Sequence, residues 1–192
     1  MEAMLVGYGT LLLRGSLGKT IGPGSAAIKQ VRPVIVPGYK RLFNVRPDHY
    51  ESSNKLGLAP RERGALNVEP SPESRFNALA FPVTQTELRE LDRRERYYVR
   101  RSIPVYDFMS EQHIGQGQVY TVVPESPHIV TDPALLLPLW RDIVWTREGS
   151  RRLGERFLQV FDDTTFLADG TTRVVDRYCN VLQDTSDVEF PE

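Results

Sequence analysis

One cysteine, three histidines and no long apolar run mark this chain of 192 residues. The lone Cys179 excludes an internal disulfide framework and any cysteine-built zinc cage, fits a reducing compartment, and reads as a buried thiol. His49, His113 and His128 have no partner four residues away and no nearby carboxylate at ligand spacing, so they read as surface residues and no metal site is expected. No segment approaches the roughly 20 apolar residues that a membrane span needs. The N-terminus has an acid at Glu2 and no basic region before its short apolar run, so it does not read as a secretory signal. A cytoplasmic protein that binds no membrane is expected. An excess of one charge is also missing: 24 Lys and Arg oppose 25 Asp and Glu, for a net charge of −1. That balance offers phosphate backbones no long-range attraction, so nucleic acid is not an expected partner.

What is present is ample apolar material. At 40% hydrophobic residues, a chain of this length can bury roughly 70% of its unfolded surface. No linker divides it, so one domain over residues 1–192 is expected. Met4–Tyr8, Val31–Val36, Arg41–Val45, Gly64–Val68, Phe76–Phe81, Val99–Tyr106 and Gly117–Val123 read as strands separated by Pro, Gly, Asn and Asp, which suggests a mixed sheet or small barrel. Arg14–Ser25, rich in glycine, reads as a long loop or a helix fragment within one. Thr84 and Glu87 form a capping box ahead of Leu88 and Leu91. A second helix is predicted from Thr131 or Asp132, with Pro133 at its first position and Leu135, Leu136, Leu139 and Ile143 on one face, ending at Gly149. A third runs over Ser150–Phe161. Asp169-Gly170 reads as a hairpin turn, and Arg173–Leu182 as a strand or extended tail.

Several apparent motifs fail on spacing. Gly7-Tyr8-Gly9-Thr10-Leu11-Leu12 begins like a dinucleotide fingerprint, yet its sixth place, where helix and strand must pack closely, holds Leu12. Gly18-Lys19-Thr20 resembles the end of a phosphate-binding loop, but the glycine required five places earlier is Leu13, so Lys19 reads as a solvated loop charge. Asp162 and Asp163 could ligate magnesium, but an acidic pair at a helix end is commonly just solvated or capping.

One constellation survives. A helix that turns Leu88 and Leu91 inward brings Glu95, four residues after Leu91, to the same face. A carboxylate there is desolvated, its pKa tends to rise, and it becomes a general acid or base; the alternative is a buried ion pair with Arg93, Arg94, Arg96, Arg100 or Arg101. Asp92 is intermediate in position and could as easily cap the helix or pair with an arginine. At the other end of the chain, Tyr8-Gly9-Thr10-Leu11 closes the first strand in a sharp turn whose successive N–H groups form a small nest able to hold a carboxylate; the alternative is a plain tight turn.

Tyr8-Gly9-Thr10-Leu11, Gly38-Tyr39-Lys40-Arg41-Leu42-Phe43, Leu91-Asp92-Arg93-Arg94-Glu95 and Tyr98-Val99-Arg100, in this order, resemble the motifs of the gamma-glutamylcyclotransferase-like family, which includes the avirulence-induced-gene-like proteins. The resemblance covers roughly the first two-thirds of the chain. It implies an α+β fold, a small mixed β-barrel with flanking helices, with the pocket beside the Tyr8–Leu11 turn and the helices and strand after about residue 131 appended. It implies an enzyme that needs no cofactor and releases 5-oxoproline from a small γ-glutamyl amine, amino acid or peptide. Glu95 would be the general acid/base, and Tyr8, Gly9, Thr10 and Leu11 would bind substrate. Tyr98 would supply a pocket hydrogen bond, or else is a strand aromatic packed in the core. Thr10 departs from the usual serine and Arg96 from the common glycine. Two other readings stand beside this one: a non-catalytic small-molecule-binding or regulatory domain of the same fold, in which Glu95 is locked to an arginine, and a nucleotide-binding protein built on the glycine-rich loop.

Overall fold

The computed structural model describes residues 2–46, 63–138 and 140–178. His49, Cys179 and the end of the expected Arg173–Leu182 segment lie outside them. The strands are β1 (Ala3–Gly7), β2 (Arg32–Val45), β3 (Arg63–Val83), β4 (Val99–Asp107), β5 (His113–Thr121), β6 (Leu137–Pro138) and β7 (Thr165–Leu167). The helices are α1 (Arg14–Ile21), α2 (Pro23–Ile28), α3 (Gln85–Arg94), α4 (Trp140–Arg152), α5 (Glu155–Asp163) and α6 (Val174–Tyr178), with a 3-10 turn over Thr10–Leu12. The mixed α+β architecture expected from the sequence is the one observed.

All seven strands join one sheet in the order β6-β3-β1-β5-β4-β2-β7, and β2 also pairs with β3, so the run from β3 through β1, β5, β4 and β2 returns to β3. β1 lies antiparallel to β3 and parallel to β5, which makes the sheet mixed. Side chains alternate between two buried faces. Val6, Val34, Val36, Phe76, Ile103 and Val119 pack together on one side. Leu5, Ile35 and Phe81 pack on the other, against Leu88 and Leu91 of α3 and Phe157 and Phe161 of α5. Burial on both faces explains why these strands read as unbroken apolar runs.

The sequence divides β2 and β3 into four shorter strands at their Pro and Gly residues. The structure carries the chain through as two long strands, because the register shifts between Pro37 and Tyr39 around Gly38 and the irregularity bends the pair without ending it. Of the two readings of Arg14–Ser25, a long loop or a helix fragment within one, the structure favours the helical one and extends it, with α1 followed by α2. Lys19 is therefore helical rather than in a loop; it is exposed, as a solvated charge should be, with its Nζ 5.2 Å from the centre of the Trp145 ring.

The predicted helix from residue 131 to 149 begins later. Asp132 does cap, but only an isolated turn, with its Oδ1 accepting the Ala134 N–H at 2.8 Å. Leu137-Pro138 then pairs with Arg63-Gly64 as β6. Proline at 138 disfavours the α conformation in the residue before it, so helical geometry is postponed to Trp140. Gly149 does not end α4, which continues to Arg152; the break falls at Gly154, whose φ of 107° precedes α5. Gly170, with φ of 65°, supplies the expected turn, after which α6 forms where an extended segment is predicted. Asp162 and Asp163 are ion-paired, to Arg147 and Arg173 respectively.

Gly149 is in the helix interior because α4 presses on the 3-10 turn. A Cβ there would lie 2.8 Å from Leu12 Cβ and 3.0 Å from the Leu12 carbonyl carbon. Alanine would improve helix propensity by about 1 kcal/mol, yet the collision with backbone is the larger effect. Gly149→Ala is expected to lower stability by a net ~1 kcal/mol in urea denaturation. A gain in stability would mean that α4 moves off the turn without cost.

Candidate active site

β1 leads directly into the site. After buried Leu5 and Val6, a Cβ at Gly7 would lie only 2.9 Å from Leu11 Cβ, so glycine is what lets the following turn fold back over the strand end. Tyr8 points into the core. Its hydroxyl donates to the Tyr120 carbonyl at 2.7 Å, its ring meets Phe76 edge-on, and burial raises its pKa well above the usual phenol value. The turn's own hydrogen bonds begin with Leu12 N–H to Gly9 O (2.9 Å) and Leu13 N–H to Thr10 O (3.1 Å). The N–H groups of Thr10 and Leu11, at the head of the turn, are therefore outside its hydrogen-bond ladder.

Opposite this turn, α3 ends. The Thr84 and Glu87 capping box predicted for its start is present, and Lys29 adds an ion pair to Glu87 at 2.8 Å. Leu88 and Leu91 are buried, and Glu95, the residue after the helix, donates its N–H to the Leu91 carbonyl at 2.9 Å and accepts the Tyr98 N–H at 2.8 Å. Its side chain is 19% exposed, with a carboxylate oxygen 3.1 Å from Arg94 Nε. Burial raises the Glu95 pKa and the Arg94 guanidinium opposes that rise, with burial the larger effect. The two sequence readings of Glu95 thus coexist: an interior acid and an ion pair, with Arg94 as the partner among the five arginines considered. Arg100 instead clasps Asp92, which also accepts from the Tyr120 hydroxyl at 2.7 Å. The Arg96 guanidinium lies over the Tyr97 ring at 5.0 Å.

Between the turn and the helix end lies a cavity of about 260 Å³. The structure brings all six sequence-predicted residues to it, since Tyr8, Gly9, Thr10, Leu11, Glu95 and Tyr98 each line its wall. The Tyr98 hydroxyl donates to the Leu66 carbonyl at 2.9 Å, and its pKa is raised by burial first and then by the nearby Glu95 and Asp142 carboxylates. Among the described residues, no group of three His, Cys, Asp or Glu side chains gathers that could hold a metal ion.

No family model matches the sequence, and no curated protein matches it. Solved structures do. A structure titled gamma-glutamyl cyclotransferase superposes with a TM-score of 0.61 over 95% of this chain and 99% of its own, at 13% identity. The chain has the gamma-glutamyl cyclotransferase fold. An uncharacterized human protein shares that fold at a TM-score of 0.58, 14% identity and 95% and 99% coverage. A yeast gamma-glutamyl cyclotransferase specific to glutathione shares it at 0.58, 10% identity and 90% and 97% coverage. Among the described residues, no helix is long and apolar enough to cross a membrane.

On this cyclotransferase fold, Arg94, Asp142 and Thr146 are among the cavity residues that escape a reading of the sequence. Arg94 figures there only as one of several ion-pair partners. In the structure it also donates to Thr10 Oγ1 (3.1 Å) and Thr20 Oγ1 (3.1 Å), which ties the end of α3 to the turn and to α1. Asp142 and Thr146 line the cavity from α4. Their signal is a polar stripe at helical spacing, Asp142, Thr146 and Ser150, all buried. The stripe is internally bonded, Thr146 Oγ1 to Asp142 O at 2.6 Å and Ser150 Oγ to Thr146 O at 2.9 Å.

Proposed function

We propose that this protein is a cofactor-independent γ-glutamyl cyclotransferase. It acts on a γ-glutamyl amine, amino acid or peptide and yields 5-oxoproline and the free amine. The observation that carries this reading is Glu95: a carboxylate with a pKa raised by burial, on the wall of a cavity that Gly9, Thr10 and Leu11 of the turn also line. A base poised closer to neutral pH is what proton transfer from an amine requires.

The substrate's α-carboxylate binds at the turn, on the N–H groups of Thr10 and Leu11, with the Arg94 guanidinium beside Thr10 adding a positive charge. Glu95 takes a proton from the α-amine, whose nitrogen attacks the γ-carbonyl carbon. The five-membered ring closes, the C–N bond to the leaving amine breaks, and the protonated Glu95 returns the proton to the departing nitrogen. Neither water nor an external acceptor enters the balance. One carboxylate suffices because nucleophile and electrophile share a molecule, so the protein's task is to fold the substrate into a near-attack shape and shuttle one proton.

A second reading, a binding or regulatory domain that does not turn over, is favoured by one feature: Arg94 contacts both Glu95 and Thr10 and so closes the site on itself. Measuring 5-oxoproline release from a panel of γ-glutamyl amino acids, γ-glutamyl amines and glutathione separates the two. Release from at least one member supports the enzyme. Silence across the panel, accompanied by saturable binding of its members, supports the second reading.

A further inference from the structure

Resting on the cyclotransferase reading, we propose that Arg94 is a latch worked by the substrate: the incoming α-carboxylate takes one edge of the guanidinium away from Glu95 and Thr10, and this exchange frees Glu95 to act as the base. The two sides of the guanidinium have different partners. Nη1 is held by α1, through the Thr20 hydroxyl at 3.1 Å and the Ser16 carbonyl at 3.3 Å. The other edge, Nε with Nη2, is divided. Nε lies 3.1 Å from Glu95 Oε1, while Nη2 donates to Thr10 Oγ1 at 3.1 Å and to Ser16 Oγ at 3.4 Å.

That edge is the one this chain uses elsewhere to grip a carboxylate. Arg147 gives Nε and Nη2 to the two oxygens of Asp162, Arg151 to those of Glu148 and Arg173 to those of Asp176, all at 2.7–2.9 Å. On Arg94 the same edge serves two residues at once, at longer range, on the wall of the cavity. A carboxylate arriving at the Thr10 turn brings two parallel acceptors in the geometry that a guanidinium edge fits best. It replaces the divided contacts with a bidentate pair, while Nη1 keeps the side chain in place.

The charges around Glu95 decide what this exchange does. The other titratable side chains on the cavity wall are Tyr8 from the end of β1, Tyr97 and Tyr98 between α3 and β4, Tyr120 from β5 and Asp142 from α4. Burial raises the pKa of Tyr8, Tyr98 and Tyr120, so these stay neutral. Arg94 is the neighbour that lowers the pKa of Glu95. Its transfer to the substrate's carboxylate strengthens the base as the amine arrives. The α-carboxylate therefore acts on kcat as well as on KM.

The test compares a γ-glutamyl amide with the 4-aminobutanoyl amide of the same amine, which closes to 2-pyrrolidinone by the same bond changes but has no carboxylate. In Arg94→Gln, KM for the γ-glutamyl amide is expected to rise roughly 10- to 100-fold, the worth of a charged hydrogen bond. The kcat for the 4-aminobutanoyl amide is expected to move the other way, upward by roughly 3- to 10-fold, because Glu95 is already free in the variant. No gain in that kcat, or a fall in kcat for both substrates as a merely structural tie would give, overturns the latch while leaving the cyclotransferase intact. A second measurement needs no turnover. Calorimetry in buffers of different ionisation enthalpy counts the protons taken up when the protein binds 5-oxoproline or 2-pyrrolidinone near the Glu95 pKa. Native protein is expected to take up protons with 5-oxoproline, whose carboxylate draws Arg94 off Glu95, and not with 2-pyrrolidinone. Uptake of the same size in Arg94→Gln would come from the ligand's own charge and overturns the latch, as does 5-oxoproline that binds native protein without uptake or fails to bind. If no γ-glutamyl compound is turned over while the uptake that depends on Arg94 is present, the function falls and the latch stands.

Discussion

Glu95→Gln is expected to reduce 5-oxoproline release by roughly 10²- to 10⁴-fold, the usual worth of a positioned general acid/base, with the fold retained. Glutamine keeps the shape and the Arg94 contact region but cannot accept a proton from the α-amine. Native turnover in this variant would remove Glu95 from the reaction. The pH behaviour carries a second check. Because burial lifts the Glu95 pKa above the ordinary carboxylate value, the acid limb of the native kcat/KM profile is expected above the roughly 4.3 of a free glutamate. Stability runs in the opposite sense. The folded chain holds the Glu95 proton to higher pH than the unfolded chain does, so its contribution is complete below the ordinary carboxylate pKa and is lost as pH rises through the raised one. Glutamine does not titrate. The melting temperature of Glu95→Gln relative to native is therefore expected to rise between about pH 4 and neutrality, and a difference independent of pH would contradict a raised pKa.

Such a gain of stability on loss of the acid is what a functional residue predicts, and it bears on how much of this site is written in the sequence. The phase of Glu95 on the Leu88 and Leu91 face follows from local helix geometry, and so does the capping box at Thr84, because residues three and four apart meet within one helix. The Thr10 turn is legible for a similar reason: glycines 7 and 9 flank a strand end. Asp142 is not. Its stripe with Thr146 and Ser150 has the spacing of a solvent face, and only the packing of α4 on the Thr10–Leu12 turn, permitted by Gly149, turns that stripe inward. The start of α4 is hidden for a different reason. Leu135 and Leu136 fit a helical period, but the pairing of Leu137-Pro138 with a strand some seventy residues earlier in the chain is a long-range contact that no local window contains.

Arg41 is the extreme case of a residue whose role is invisible in the sequence, and its loss is expected to have the largest effect on stability. It occupies β2 with 0% of its surface exposed. Its Nε donates to Thr165 Oγ1 at 2.9 Å, and Nη1 to the Asn77 carbonyl at 2.7 Å. Nη2 reaches Asn77 Oδ1 at 3.0 Å, Thr164 Oγ1 at 3.1 Å and the Phe161 carbonyl at 3.2 Å. The guanidinium plane lies over the Phe161 ring at 4.0 Å. Burial lowers its pKa to about 9, so it stays charged at neutral pH. Carbonyls and hydroxyls surround it, two of them at the C-terminal end of α5, where the helix dipole is negative. One side chain thus fastens β2 to β3, α5 and β7. Methionine at this position would match much of the volume but leave these acceptors buried without a donor, each a desolvation cost. Lysine would keep the charge and lose the planar fork that reaches them together. Arg41→Met is expected to lose about 3–5 kcal/mol, the range for uncoupling a buried charged network, and Arg41→Lys is expected to recover only part of that. A loss below about 1 kcal/mol in Arg41→Met, measured by denaturant unfolding, would mean that apolar packing alone holds β2 to α5. Arg41 is not among the residues lining the cavity. In the fraction of Arg41→Met that remains folded, the acid limb set by Glu95 is therefore expected to stay where it is in the native protein, which separates a loss of fold from a loss of chemistry.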